Sequence, residues 1–158
     1  MLKRKKKNIK PLVSIIMNCY NGEEFVRQSL KSIKQQTYKN WELIFWDNKS
    51  TDNSEKIIKS YLDKRIRYFK SKKFLNLYSA RNLAIKKAKG KYISFLDVDD
   101  LWKKNKLEKQ VSYLKKNKDL KIVYSNFTTI NDIKNKKYIY HKNLLPSGHI
   151  TQKLLNNY

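Results

Sequence analysis

Little in this sequence could staple a fold covalently or wrap it tightly around a phosphate. A single cysteine, Cys19, among 158 residues excludes a disulfide framework and a cysteine metal cluster. Only three glycines occur, and neither GxGxxG nor GxxxxGK(S/T) follows an apolar run. Glycine-built dinucleotide and P-loop cradles are therefore not expected. No apolar run approaches the ~20 residues that a membrane span needs. The basic opening, MLKRKKKNIK, resembles the start of a signal peptide. The apolar stretch after it, LVSIIM, is shorter than the usual ~7–15 residues and has no small-residue cleavage site. The expectation is a cytoplasmic protein.

Negative charge is scarce as well: 13 acidic residues face 37 basic ones, for a net +24. Such an excess has two readings. One is an anionic partner. The other is coding bias, because 32 of the 37 are Lys, and Asn and Ile are abundant beside them. With only five Arg, bidentate reading of bases is not expected, and neither is a nucleic-acid partner. The Lys3–Lys7 cluster is open to peripheral contact with an anionic membrane face, at about 1 kcal/mol per basic residue.

What is present is a globular composition, 40% hydrophobic and 13% aromatic, in a chain of single-domain length. Residues 1–10 read as a basic N-terminal segment and 11–158 as the domain. LVSIIMNC (Leu12–Cys19) is a continuous apolar run, as in a strand covered on both faces. A helix follows from Asn21-Gly22, with Phe25, Val26, Leu30 and Ile33 on one side. WELIFWD (Trp41–Asp47) is a second strand, STDNSEKIIKSYL a helix, and IRYFKS (Ile66–Ser71) a third strand. NLYSARNLAIKKAKG reads as a helix with Leu77, Ala80, Ala84 and Ala88 inward, stopped by Gly90. KYISFLD is the fourth strand, NKLEKQVSYLKKN a helix, and KIVYSNF (Lys121–Phe127) a fifth strand. TTINDIKNKKYIYHK suggests a polar turn and a strand, and TQKLLNNY the start of a helix. This alternation predicts an α/β fold, a mostly parallel sheet flanked by helices.

Ligands in such sheets bind at the carboxyl ends of the strands. Those ends carry Cys19-Tyr20-Asn21, Asp47-Asn48 and Asp97-Val98-Asp99-Asp100. Three carboxylates within four residues would repel one another unless a cation joined them. Oxygen donors beside substrate phosphates suit Mg²⁺ or Mn²⁺. A plain alternative makes Asp100 a helix cap and the others solvated turn residues. Trp41, Trp46 and Trp102 read as core or strand-flanking residues, and His141 and His149 as bystanders.

The stretches VSIIMNCYNGEEFVRQSLKSIKQQTYKNWELIFWDNKSTDNS and SARNLAIKKAKGKYISFLDVDDLW resemble the nucleotide-sugar half of family 2 glycosyltransferases, which have the Rossmann-like GT-A fold. The match runs collinearly from about Pro11 to Phe127. The family's usual Pro-Thr-Tyr-Asn is here Asn18-Cys19-Tyr20-Asn21, and its usual Asp-Asp-Gly-Ser-Thr-Asp is Asp47-Asn48-Lys49-Ser50-Thr51-Asp52. The resemblance implies a donor-binding set of Cys19, Tyr20, Asn21, Asp47, Arg81, Asp97, Val98 and Asp99. In it Tyr20 lies against the base or ribose, Asp47 accepts from the base, and Arg81 reaches the base or diphosphate. Asp97 binds a ribose hydroxyl, and Asp99 binds the metal with help from Asp97 and Asp100. Tyr20 as a packed aromatic and Arg81 as a surface residue are the plain alternatives.

The resemblance further implies inverting transfer from a UDP-sugar or similar donor to a glycan or lipid-linked acceptor. The general base would lie beyond Tyr158, with the C-terminal, acceptor part of the fold truncated. Three outcomes stay open: a fragment of a longer enzyme, a short form completed by a partner chain, or a binder without transfer activity. Exposed Leu154 and Leu155 would favour a homo-oligomer. A basic nucleic-acid module and a metal-dependent nucleotidyltransferase are the competing classes.

Overall fold

The computed structural model describes residues 10–131, 136–139 and 147–148. Four parallel strands form the main sheet: β1 (Val13–Cys19), β2 (Trp41–Asp47), β3 (Ile66–Lys70) and β4 (Tyr92–Phe95), in the order β3-β2-β1-β4. Between them run α1 (Glu23–Lys34), α2 (Ser54–Lys59) and α3 (Leu77–Ile85). β1 and β2 lie side by side in the middle, Val13 opposite Trp41 through Cys19 opposite Asp47. The continuous apolar runs are the central strands because helices cover both of their faces; every residue of β2 is buried.

On one face Ile16, Ile44 and Trp46 pack with Ala80 and Ala84 of α3. On α1, Val26, Leu30 and Ile33 turn inward. Burying each such aliphatic side chain contributes roughly 1.5–3 kcal/mol. Two positions expected to point inward do not. Phe25 is 41% exposed and Leu77 is 50% exposed. Phe25 lies one residue before the buried Val26 and falls off the helix stripe, and Leu77 is the first residue of α3, before its packed face begins.

Gly90 does not stop α3, which ends at Ile85. Its role is proximity. A Cβ there would lie 2.5 Å from the Ser14 amide nitrogen and 2.9 Å from the Leu12 carbonyl. This close approach completes a buried network at the amino end of the sheet. Ser14 Oγ donates to Glu42 Oε1 at 2.7 Å, Arg67 donates to Glu42 Oε2 at 2.8 Å, and the Lys89 and Gly90 amides donate to Glu42 Oε1 and Ser14 Oγ, each at 2.7 Å.

The chain divides into two compact units after Lys109. α4 (Lys106–Lys116) spans the division. The second unit differs from the sequence reading, since no strand forms over 121–127. β5 (Thr128–Asn131) pairs antiparallel with β6 (Lys136–Ile139), Thr128 opposite Ile139. The β-rich composition of KIVYSNF does not by itself make a strand. The C-terminal helix expected from TQKLLNNY, Leu154 and Leu155 within it, and both histidines lie outside the described residues. No helix among the described residues is long and apolar enough to cross a membrane.

Candidate functional site at the carboxyl rim of the sheet

All four strands of the sheet end at one rim, and the loops leaving them are tied together. The Asn48 amide donates to the Cys19 carbonyl at 2.7 Å, the Ser71 amide to the Asp47 carbonyl at 2.8 Å, and the Leu96 amide to the Ile16 carbonyl at 3.1 Å. The starts of α1 and α2 cap each other. Glu23 N donates to Asp52 Oδ2 at 2.9 Å, and Asn53 N donates to Glu23 Oε2 at 2.8 Å. Gly22 N donates to Ser54 Oγ, also at 2.9 Å. Neither helix is capped by the side chain of its own N-cap residue. The loops trade caps instead, which locks their relative position.

Of the expected donor-site residues, several serve this scaffold. Asp47 is wholly buried; its Oδ1 accepts from the Ser50 amide at 2.7 Å and its Oδ2 from the Tyr68 hydroxyl, also at 2.7 Å. Both of its oxygens are thus engaged within the protein. Burial and the adjacent Asp47 carboxylate push the Tyr68 phenol far upward, so it stays a donor. Cys19 is buried, and burial pushes its thiol above its ordinary value. The thiol is neither exposed to a ligand nor activated. Asn21, at φ 50°, accepts from the Thr51 amide at 2.8 Å. Val98 packs toward Gly22, where a Cβ would meet it at 3.0 Å.

Tyr20, Asn21, Asp97 and Asp99 are exposed, and Arg81 is half-buried. Tyr20 is 51% exposed and meets Phe74 edge-on, ring centroids 4.8 Å apart. Arg81 Nη2 donates to Asp97 Oδ1 at 2.7 Å, which brings those two expected residues together. The Arg81 guanidinium also lies 5.3 Å from the Phe95 ring centroid, and its Nε is buried without a hydrogen-bond partner. Asp97 and Asp99 are exposed. Asp100, with the charges of Asp99 and Asp97 beside it, is raised by partial burial first and by that repulsion second. It caps no helix: its amide donates to the Asp97 carbonyl in a turn, and α4 begins only at Lys106.

The donor set at this turn is all carboxylate oxygen, the hard chemistry that Mg²⁺ or Mn²⁺ takes, and the mutual repulsion is what a cation would relieve. Among the described residues no three carboxylate, His or Cys side chains converge on one point. Trp41 and Trp46 are core residues, and half-buried Trp102 carries the Lys106 ammonium 4.2 Å from its ring centroid.

The acidic turn is held from below by residues that sequence reasoning missed. Buried Ser29 on α1 reaches the Val98 and Asp100 carbonyls; buried Gln36 donates to the Lys103 carbonyl at 2.9 Å and accepts from the Leu107 amide at 3.1 Å. Their one sequence signal was polarity on the apolar stripe of an amphipathic helix.

The parallel β3-β2-β1-β4 sheet with polar loops at its carboxyl rim is an open α/β domain, the class that takes ligands at that rim. The family model for glycosyl transferase family 2 matches residues 14–157, and the chain belongs to that family. It is 40% identical over 146 residues to the *Escherichia coli* UDP-Glc:alpha-D-GlcNAc-diphosphoundecaprenol beta-1,3-glucosyltransferase WfgD, covering 92% of this chain and 56% of that protein. The fold superposes on *S. aureus* TarS 1-349 in complex with UDP with a TM-score of 0.63 at 26% identity, covering 66% of this chain and 32% of that one. It also superposes on the mannosyltransferase PcManGT from *Pyrobaculum calidifontis* in complex with GDP-Man and Mn²⁺, TM-score 0.63 at 24% identity, covering 68% and 33%. The chain spans about half the length of the curated relatives it matches.

Proposed function

We propose that this chain forms the donor half of a glycosyltransferase, binding a nucleoside diphospho-sugar, a UDP-sugar first, for inverting transfer to an acceptor hydroxyl. The observation that carries the reading is the gathering of Tyr20, Arg81, Asp97 and Asp99 at one rim on a rigid scaffold. Tyr20 stacks on the base. Arg81, released from Asp97, turns its charge to the diphosphate, and Asp97 takes a ribose hydroxyl. Asp99, with Asp97 and Asp100, would hold Mg²⁺ or Mn²⁺, which supplies Lewis-acid stabilisation of the leaving diphosphate. Asp47 and Cys19 keep the floor of the site in shape. No described residue is assigned the deprotonation of the acceptor. A glycan or lipid-linked acceptor, a homo-oligomer and contact between the basic N-terminal segment and a membrane face belong to the same proposal.

The test is thermal unfolding with UDP, GDP and CDP, each with and without Mn²⁺. A saturating ligand at 100 times its Kd adds about 2.7 kcal/mol. Stabilisation by UDP that needs Mn²⁺ and is lost in Asp99→Ala supports the reading; no shift with any nucleotide overturns it.

A further inference from the structure

The loop between β3 and α3 is held more firmly than its exposure would suggest. Asn48, only 6% exposed, donates from Nδ2 to the Leu75 carbonyl at 2.7 Å and accepts at Oδ1 from the Leu75 amide at 3.2 Å. Buried Ser71 donates to the Lys73 carbonyl at 2.6 Å, and Asn76 caps α3 by accepting from the Ser79 amide at 2.8 Å. The residues on both sides of Phe74 are thus pinned, two of the pins coming from buried polar side chains. Yet Phe74 itself is 58% exposed and rests on Tyr20 with an interplanar angle of 64°. Buried polar groups spent on fixing the backbone beside an exposed aromatic ring prepare that ring for something that docks on it.

The place says what docks. Tyr20 leaves the end of β1, and Phe74 leaves the end of β3 and reaches across β2 to meet it. The carboxylates of Asp97 and Asp99 leave β4, the neighbour of β1 on the other side, about 5 Å away per strand. A flat ring seated in the Tyr20–Phe74 corner and a diphosphate at the carboxylates would share this rim. Asp47 and Asn48, beneath the corner, have their side-chain oxygens and the Asn48 amide nitrogen engaged within the protein.

We propose that Phe74 is the second wall of an open, corner-shaped nucleobase slot whose first wall is Tyr20, and that Asn48 is its positioning residue. The inference rests on the donor-site reading and deepens it. With the two rings meeting edge to face, a base stacks on one ring and abuts the other, so the hold on uracil and cytosine is alike, because stacking does not read base edges.

The test is calorimetry on the 158-residue chain and its Phe74→Ala and Phe74→Tyr variants, titrated with UDP, CDP and inorganic pyrophosphate, all with Mn²⁺. Loss of one stacking ring should weaken both nucleotides about 5- to 100-fold in Phe74→Ala. Pyrophosphate binding should stay within about twofold, and Phe74→Tyr should bind nucleotide like the parent. Unchanged UDP and CDP affinity in Phe74→Ala overturns the slot and leaves the donor reading standing. Equal losses for pyrophosphate and nucleotides also overturn it, by marking Phe74 as structural. If the parent chain binds neither nucleotide, the donor reading falls and the slot with it.

Discussion

Lys49 sits at φ 70°, in the left-handed region that side chains with a Cβ avoid. It occupies the glycine position of the family's Asp-Asp-Gly-Ser-Thr-Asp, so this chain holds a lysine where the turn favours none. The turn persists because Asp47 Oδ1 takes the Ser50 amide and Asn21 Oδ1 takes the Thr51 amide, clamping both ends of the loop. Replacing the exposed Lys49 with Gly removes the steric cost, about 1–2 kcal/mol, but adds unfolded-state entropy of about 0.5–1 kcal/mol. The expected outcome of Lys49→Gly is a gain of up to about 1 kcal/mol, read as a rise in Tm of a few degrees. A fall in Tm would mean that the lysine side chain makes a compensating contact. Position was legible here, because the motif marked the loop. Role was not: Asp47 reads as a ligand in a sequence and is a buried clamp in the fold.

The strands of the central sheet owe their order to apolar runs, but the amino end of the sheet owes its geometry to Glu42. Burial raises its carboxyl, and the hydrogen bonds from Ser14, Arg67 and the Lys89 amide more than reverse this, leaving it below the ordinary 4.5. A carboxylate with a depressed folded-state value adds stability that is fully present above its unfolded value. That stability is lost as pH falls through the folded value. Stability measured by denaturant should therefore begin to drop as pH falls below the ordinary carboxyl value of 4.5. Glu42→Gln should be less stable at neutral pH and show a shallower acid decline; an unchanged acid slope would remove Glu42 as a source. Glu55, held down to about 2 by Lys59 and Lys70, is a surface pair and adds little to that slope. The same distinction separates the correct element readings from the failed ones. Trp41–Asp47 reads as a strand and is one, since its apolar run and its burial agree. Lys121–Phe127 has strand composition and forms no strand, since composition alone does not supply one.

Across the whole chain the net charge of +24 is unbalanced, and its Coulomb repulsion acts on the folded state most strongly when salt is low. The screening length falls from about 30 Å at 0.01 M to about 10 Å at 0.1 M salt. Tm should therefore rise by several degrees between these conditions, and a Tm that is flat or falling with salt would show that ion pairs such as Arg67–Glu42 dominate instead. Nucleic-acid binding that collapses over the same range would be nonspecific phosphate attraction, with no bearing on the rim.

The sequence by itself determined which runs of residues become strands and helices of the first unit, the parallel order of its sheet and the rim where its chemistry gathers. Those follow from period and from apolar runs ending in polar residues, both of which are local. Only the tertiary structure decided which rim residues stand exposed and which hold the wall. Asp47, Asn48, Cys19 and Asn21 are turned to structural use by partners up to 30 residues away, while Phe74, silent in the sequence, is presented beside Tyr20. A side chain's role is set by who meets it in space, and that is fixed by packing between distant segments.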